Sequence, residues 1–178
     1  MSAAPLPPPP GAALAAFLVL LAVQRGVELW YSAANSRRLR ARGAIECGRG
    51  HYPLLVALHA LWPLGLLAEV LGMGARPWRS WPLWLALLLG AQGLRYAAIA
   101  ALGERWSTRV LVLPGALLVR RGPYRWLRHP NYLAVTLELA TAPLLFGAWR
   151  TALAASAANL ALLAVRVRVE ERGLLGSG

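Results

Sequence analysis

The sequence has few of the residues that build disulfides and metal sites. It contains one cysteine, Cys47, and three histidines in 178 residues, and it has neither lysine nor aspartate. A disulfide needs two cysteines and a cysteine-rich zinc site needs several, so both are excluded within the chain. Phosphate-binding loops and dinucleotide-binding fingerprints are also missing, because the glycines at 90 and 93 lie inside an apolar run. We therefore expect neither a metal site nor a soluble nucleotide-binding fold.

Long apolar runs are what the sequence has in abundance. Hydrophobic residues make up 58% of the chain and the mean hydropathy is +0.50, which exceeds the usual apolar share of a soluble domain. The sequence therefore predicts an all-α integral membrane protein, a polytopic helical bundle. The net charge of +12 comes from nineteen arginines. Because no basic face on a soluble module is visible, nucleic-acid binding is not expected.

The apolar runs predict about five transmembrane helices. The first three runs cover Gly11–Tyr31, Tyr52–Met73 and Pro82–Leu102. The last run, 131–165, is too long for one helix and is interrupted around 147–150, which predicts a carboxyl-terminal helical hairpin. The expected organisation is a disordered proline-rich lead at 1–10, three helices within 11–102 and a functional region at 103–178.

Arginine is distributed unevenly between the loops. Fourteen arginines lie in segments 32–51, 103–130 and 166–172, as five, six and three, whereas the remaining two loops hold three. Arginine-rich loops stay on the cytoplasmic side of a membrane. With five helices, this predicts an amino terminus outside and a carboxyl terminus inside, so that segments 121–132 and 166–172 meet at the cytoplasmic face.

Segment 121–132 is the densest cluster of chemistry in the chain. Gly122-Pro123 predicts a turn, and Pro130 suits the first position of a helix while keeping His129 out of the helical conformation. The imidazole of His129 is thus expected at a helix amino terminus, where free N–H groups and the helix dipole favour an anionic group. Arg125 and Arg128 add positive charge beside it.

The two segments together suit a zwitterionic cofactor that carries a nucleobase. Arginine binds a carboxylate, glutamate binds an ammonium or ribose hydroxyls, and an aromatic face accepts a base or a cation. Glu170 and Glu171 are adjacent on one helix, so at most one is expected to point fully into the site. The aromatic residues at this face are Tyr124, Trp126 and Tyr132.

Two motifs in this order resemble the isoprenylcysteine carboxyl methyltransferase family. Gly122-Pro123-Tyr124 through Arg128-His129-Pro130-Asn131-Tyr132 is similar to its G-P-Y-x-x-x-R-H-P-x-Y motif, and Arg168-Val169-Glu170-Glu171 with Leu174 is similar to its R-x-E-E-x-x-L element. The amino-terminal half, with Gly43 to Glu46, His51-Tyr52-Pro53 and Val112 to Gly115, resembles a short bacterial branch associated with type III polyketide synthases. Members of that branch O-methylate long-chain alkylpyrones or alkylresorcinols.

The resemblance implies S-adenosylmethionine as the methyl donor, bound in the carboxyl-terminal half of a bacterial cytoplasmic-membrane protein. It further implies functional coupling to a type III polyketide synthase and contact with membrane lipids. Carried over position by position, the cofactor-binding residues are Tyr124, Arg128, His129, Pro130, Tyr132, Glu170 and Glu171. The chain ends at Gly178, without the longer tail of the prenylcysteine enzymes, which argues against a prenylcysteine substrate.

The expected reaction is direct displacement at the sulfonium methyl by an oxygen nucleophile. A phenolic hydroxyl has a pKa of about 10, so a base or a cationic environment is needed at neutral pH, whereas an acidic pyrone hydroxyl needs less help. The candidate bases are His51 and Glu138, with arginines such as Arg125 stabilising the oxyanion. His59, within a span, is interpreted as a packing or hydrogen-bonded residue.

Other functions remain open at this stage. The same cofactor would serve a methyltransferase of prenylcysteine carboxylates, quinone-type phenols or lipid amines. From another class, the chain would be a structural helical bundle whose arginine-rich loops bind anionic lipids. A membrane reductase that uses a nicotinamide cofactor in the same hairpin is the weakest alternative.

Overall fold

A computed structural model describes residues 10–175, with side chains at residues 11–173. It contains five helices and two short strands: α1 (Pro10–Ala41), β1 (Ile45–Cys47), α2 (Tyr52–Leu67), α3 (Trp81–Leu102), β2 (Val110–Val112), α4 (Pro130–Leu145) and α5 (Trp149–Leu175). The predicted all-α helical bundle is confirmed. The predicted lead, 1–10, lies outside the described residues except for Pro10, which begins α1.

Four helices have the length and hydropathy needed to cross a membrane: α1, α2 with its terminal turn, α3 and α5. α4 has 16 residues and is therefore only about 24 Å long, against a hydrocarbon core of about 30 Å. Half of its residues are buried, between α3 and α5. Packing inside the bundle, rather than contact with lipid, stabilises this helix.

The carboxyl-terminal hairpin begins and turns where the sequence predicts. Pro130 opens α4, and His129 before it has φ −130° and ψ 61°, outside the helical region. Between α4 and α5, Gly147 has φ +77°, and a Cβ there would stand 1.9 Å from the carbonyl oxygen of Arg76. Only glycine fits both the left-handed conformation and this close approach.

α1 continues ten residues beyond the predicted end at Tyr31, so the predicted length is wrong. Its extension is stabilised by hydrogen bonds to the segment after α3. Asn35 donates from Nδ2 to the carbonyls of Gly103 and Trp106 at 3.1 and 2.9 Å, and the Ser36 hydroxyl lies 2.9 Å from that of Ser107. These long-range partners are invisible in a hydropathy pattern. α5 likewise extends past residue 165, to Leu175, and α2 ends in a π turn over Ala68–Gly72.

A two-stranded antiparallel ladder joins the two arginine-rich loops and is not predicted by the sequence. Its register pairs Ile45 with Val112, Glu46 with Leu111 and Cys47 with Val110. Three-residue strands are too short for an alternating pattern to stand out. The ladder places residues 42–51, residues 103–129 and the end of α5 at one end of the bundle, which we call the arginine end.

The apolar core occupies the opposite half of the bundle. Phe17 of α1 packs against Trp62 of α2 and Phe146 at 6.4 and 5.4 Å between ring centroids, while Leu66 and Leu139 are fully buried. Residues from all five helices, α1 to α5, contribute to this core. Most of the buried polar residues therefore lie in the half of the bundle nearer the arginine end.

Glu69 fixes the start of α5 from a distant part of the chain. Its carboxylate accepts the backbone N–H of Arg150 at 3.1 Å and of Thr151 at 2.8 Å, and the Thr151 hydroxyl at 2.8 Å. A carboxylate at a helix amino terminus satisfies free N–H groups and complements the dipole. α5 therefore begins at a fixed position relative to α2.

Candidate functional site

A cavity of about 300 Å³ lies between the five helices, toward the arginine end. On α1 and α2 its wall combines the apolar side chains of Leu29, Leu55, Val56 and Ala60 with those of Arg25, Glu28, Tyr52 and His59, and its wall on α4, α5 and the segment after α3 is mostly polar. Leu29 of α1 and Val56 of α2 line the cavity, and they are 52% and 49% exposed. The cavity is therefore open on the side of α1 and α2.

Tyr132 connects the two segments that the sequence places at one face. Its hydroxyl donates a short hydrogen bond to Glu170 Oε2, and Arg166 donates from Nε to the same hydroxyl at 2.8 Å. His129 stacks on the Tyr132 ring, with 5.1 Å between centroids and 8° between planes. Its Nδ1 lies 3.9 Å from Glu170 Oε2. The turn at 121–132 and the end of α5 thus form one polar cluster.

Arg125, Arg128 and Glu171 lie at the exposed rim of this cluster. Arg128 is 3.7 Å from Glu171, with side chains 89% and 48% exposed. Arg125 lies over the Trp126 ring, 5.5 Å from its centroid, and both side chains face outward. Glu170 is therefore the carboxylate that points inward, whereas its neighbour is at the surface. Exposed pairs of this kind contribute little to stability.

Three buried polar atoms beside the cavity have no hydrogen-bond partner among the described residues. They are Asn131 Oδ1, Asn159 Oδ1 and Trp106 Nε1, and all three side chains line the cavity. Asn159 donates from Nδ2 to Thr136 Oγ1 at 3.1 Å. Its Oδ1 is therefore turned away from Thr136 and stays unpaired. Because an unpaired buried polar group costs free energy, these atoms indicate a place where a ligand supplies the missing donors and acceptor.

A buried network of four charged residues forms the inner boundary of the cavity. Arg95 of α3 donates to both oxygens of Glu28, at 2.8 and 3.0 Å, and to Glu138 at 2.6 Å. Arg25 donates to Glu28 at 2.6 Å and makes a short contact with Glu138. Gln24 donates to Glu28 at 3.0 Å. The pairing of Arg25 with Glu28 that their spacing allows is observed, and the four charges sum to zero.

The network determines what Glu138 can do. This carboxylate is 1% exposed, and each of its oxygens accepts a bond from a different guanidinium. It does not line the cavity described above. A carboxylate held by two guanidinium groups is a poor proton acceptor. The geometry of Glu138 is therefore that of a structural ion pair with Arg95 and not that of a catalytic base.

His51 and Tyr124 flank the site without lining the cavity. His51 immediately precedes α2 and is 8% exposed. Burial lowers the pKa of His51, and the positive charge of Arg166 lowers it further. Burial raises the pKa of Tyr124, and the negative charge of Glu170 adds to that rise. Both side chains are therefore neutral at pH 7.

Several residues of the cavity are not predicted as site residues by the sequence. The position of Arg166 at a membrane boundary suggests a simple anchor, yet this residue bonds Tyr132 and donates from Nη2 to the carbonyl of Thr108 at 2.8 Å. Its spacing of four residues from Glu170 places both on one face of α5 and is the available signal. Asn159 and Trp106 carry no such signal, because an isolated amide in an apolar run and an indole in a loop next to a span are both common.

The fold and this cavity define the class of the protein: a membrane helical bundle with a cavity of mixed polar and apolar lining among its helices. A model of the isoprenylcysteine carboxyl methyltransferase (ICMT) family matches residues 84–176, which is more than half of the chain. The chain belongs to this family of membrane methyltransferases. The match contains most of α3, all of α4 and α5, and thus the polar wall of the cavity.

Two relatives extend the likeness into the amino-terminal half. The uncharacterized protein YpbQ of Bacillus subtilis (strain 168) is 42% identical over 157 residues, which cover 88% of this chain and 94% of that protein. An uncharacterized protein of Haemophilus influenzae (strain ATCC 51907 / DSM 11121 / KW20 / Rd) is 30% identical over 159 residues, covering 89% of this chain and 92% of that protein. No solved structure matches.

Proposed function

We propose that this protein is an S-adenosylmethionine-dependent O-methyltransferase for a lipophilic hydroxyl compound in the membrane. The observation that supports it best is the two-sided cavity, which has unpaired polar atoms on its α4–α5 side and an apolar opening between α1 and α2. A polar cofactor and a lipid-like acceptor need such opposite walls. Membership of a methyltransferase family supplies the reaction class.

The residues of the polar wall fit the proposed cofactor. Tyr132 offers an aromatic face and Arg166 a cation for a carboxylate, and both line the cavity. Glu170, which accepts the Tyr132 hydroxyl from outside the cavity lining, offers an acceptor for an ammonium or ribose hydroxyls. The free amide oxygens of Asn131 and Asn159 add two acceptors. We infer that these residues and the stacked His129 bind the cofactor, and that Pro130 fixes the first turn of α4. Tyr124, Arg128 and Glu171 complete the set of residues that we propose for cofactor binding. The cofactor would supply an electrophilic methyl group on a sulfonium.

The acceptor end of the cavity favours a neutral hydroxyl over a carboxylate. A carboxylate substrate needs a cation of its own, but Arg25 and Arg95 are already neutralised by two buried glutamates. An apolar tail would leave the cavity through the opening between α1 and α2. We therefore propose long-chain alkylpyrones or alkylresorcinols as acceptors, with a type III polyketide synthase as their source.

Position decides the roles of the other candidate residues. His51 and Arg125 lie outside the cavity, at the arginine end, so we propose that they act on the cofactor side of the site and not on the acceptor oxygen. Glu138 positions Arg95 and Arg25. The excess of arginine at this end supports insertion in the bacterial cytoplasmic membrane with the arginine end facing the cytoplasm.

Labelled cofactor tests the proposal directly. Purified protein in detergent is incubated with methyl-labelled S-adenosylmethionine and either an alkylpyrone or an alkylresorcinol, and the lipid extract is analysed by mass spectrometry. We expect one labelled methyl ether. Glu170→Ala removes a charge-assisted hydrogen bond to the polar cluster and should weaken cofactor binding about 10- to 100-fold. Calorimetry with the cofactor measures this, and His129→Ala should weaken binding in the same direction.

Glu104→Ala is the matched control, because Glu104 is a carboxylate at the same end whose side chain is 63% exposed. It should bind the cofactor as the wild type does. Saturable cofactor binding that is unchanged in Glu170→Ala would refute the placement of the cofactor. Wild-type protein that binds no cofactor would refute the proposed function itself and favour a structural helical bundle.

A further inference from the structure

His59 stands in the middle of α2 and lines the cavity. Its Nδ1 lies 2.8 Å from the carbonyl oxygen of Leu55. A carbonyl only accepts, so Nδ1 carries the proton of the bond. In the neutral ring, Nε2 then holds a free lone pair. A histidine fixed in one tautomer by a backbone carbonyl is oriented for proton transfer at its other nitrogen.

The other titratable groups that line the cavity are already engaged. Both oxygens of Glu28 accept bonds from guanidinium groups. The Tyr132 hydroxyl donates to Glu170 and accepts from Arg166, and the Tyr52 hydroxyl lies 3.2 Å from that of Thr108. Among the residues that the structure describes, the imidazole of His59 makes no second hydrogen bond. It is thus the base in the cavity wall that has a lone pair to offer.

The surroundings of His59 match the acceptor side of the site. Its neighbours along the same wall are Leu55, which is buried, and Val56 and Ala60, which are exposed on the open side of the cavity. The charged groups around the cavity belong to every other helix of the bundle: Arg25 and Glu28 on α1, Arg95 on α3, Glu138 on α4 and Arg166 on α5. These arginines and glutamates pair with one another or with Tyr132, so none of them pairs with His59.

Pro63 adds a second local feature. It stands four residues after His59 within α2 and has no amide hydrogen, so the helix provides no N–H for the carbonyl of His59. Irregular backbone at membrane depth is tolerated where it lines a cavity. The carbonyl of His59 therefore lacks its usual helical N–H partner, so this position has polar groups of both the ring and the backbone to offer beside the cavity.

We propose that His59 is the general base that removes the proton from the acceptor hydroxyl, an inference that rests on the proposed function. As the acceptor oxygen forms its bond to the methyl carbon, the bond between that carbon and the sulfonium sulfur breaks, and the sulfur keeps the electron pair. The hydroxyl proton passes to Nε2 and leaves an imidazolium, so charge and atoms balance. The products are a methyl ether, S-adenosylhomocysteine and protonated His59.

His59→Asn is the informative substitution, because the Asn amide nitrogen occupies the position of Nδ1 and keeps a donor for Leu55 while Nε2 is lost. A base matters for a phenol, which is neutral at pH 7, and matters little for an acidic pyrone. We expect methylation of the alkylresorcinol to fall about 10²- to 10⁴-fold. Methylation of an alkylpyrone with the same tail should fall less than about tenfold, because less of its barrier depends on the base.

A second measurement needs neither cofactor nor turnover. An alkyl-substituted nitrophenol, whose phenolate absorbs visible light, is titrated into the protein in detergent at a fixed pH. Bound to the wild type it should show the phenolate band, and bound to His59→Asn it should show the neutral phenol. Ala57→Asn is the matched control, since Ala57 is an exposed residue of the same helix outside the cavity; it should behave as the wild type in both experiments.

The outcomes separate the two proposals. Equal losses on the two acceptors, or identical nitrophenol spectra in the wild type and His59→Asn, would refute the role of His59 while leaving the methyltransferase intact. A wild-type protein that binds no S-adenosylmethionine and methylates neither acceptor would refute the proposed function. In that case the nitrophenol spectra still report whether His59 accepts a proton inside the cavity.

Discussion

The buried charge network predicts a large and specific effect for Arg95→Met. Arg95 is 5% exposed and donates three hydrogen bonds to Glu28 and Glu138. Methionine fills a similar volume but leaves two glutamates opposite a single arginine, Arg25. Three hydrogen bonds within a membrane bundle are worth about 2 kcal/mol at about 0.6 kcal/mol each. Removing one partner of a buried ion pair costs about 3–5 kcal/mol in all, so the unbalanced charge accounts for about 1–3 kcal/mol of the expected loss of stability.

A double-mutant cycle separates the two contributions. Glu138→Gln in the Arg95→Met background restores neutrality and should recover about 1–3 kcal/mol of the lost free energy of unfolding. Unfolding is followed by far-ultraviolet circular dichroism during titration of mixed micelles with sodium dodecyl sulfate. Arg38→Met is the control, because Arg38 pairs with Glu104 at 3.6 Å with both side chains more than half exposed. It should change stability by less than about 1 kcal/mol.

If the effects of Arg95→Met and Glu138→Gln on the free energy of unfolding are strictly additive, this account of the network is refuted. If Arg95→Met and Glu138→Gln destabilise independently, and each by less than about 1 kcal/mol, the four charges are screened by water and do not form a dry network. The cavity would then be larger and wetter than the structure indicates. A neutral acceptor substrate would no longer be favoured, because Arg25 would be free to bind an anion.

Two further predictions concern the two ends of the bundle. Gly147→Ala would force a Cβ into the carbonyl oxygen of Arg76, at 1.9 Å, so we expect a loss of several kcal/mol or a failure to fold, measured as the yield of monodisperse protein in detergent. Burial alone would raise the pKa of Glu46, but hydrogen bonds from Arg109 and Arg40 hold that pKa below its usual value. Its contribution to stability is therefore present above about pH 4.3 and lost as pH falls through the lower folded-state pKa. The difference in melting temperature between the wild type and Glu46→Gln should shrink as pH falls below about 4.3, and a difference of the same size at neutral and acid pH would contradict this.

The helices could be predicted because their signals are local. Each apolar run has the length of a span, and Pro130 marks the start of α4 through its fixed φ and missing N–H. Gly147 marks the hairpin turn for a different local reason, because glycine adopts the positive φ that the turn needs. The extension of α1 to Ala41 could not be predicted, because it depends on Asn35 finding carbonyls about seventy residues away.

The site is predictable only in part, for the same reason. The motif at 121–132 and the acidic end of α5 are each contiguous in sequence, and their meeting through Tyr132 and Glu170 follows from the expected topology. By sequence His59 resembles a packing residue, because nothing in its neighbourhood shows that Leu55 fixes its tautomer or that the cavity lies beside it. Long-range ion pairs such as Arg95 with Glu28 depend on three-dimensional packing that no spacing rule supplies.

The ladder between β1 and β2 has a consequence for biogenesis. β1 ends at Cys47 and β2 begins at Val110, and both α2 and α3 lie between them. β1 leaves the ribosome with no partner, and its partner arrives on the correct side only after the intervening pair of helices has entered the bilayer and returned. Pairing of β1 with β2 therefore marks the point at which α2 and α3 have both been inserted. A chain in which one of these helices fails to insert keeps β1 unpaired, with an open strand edge available to quality-control proteases.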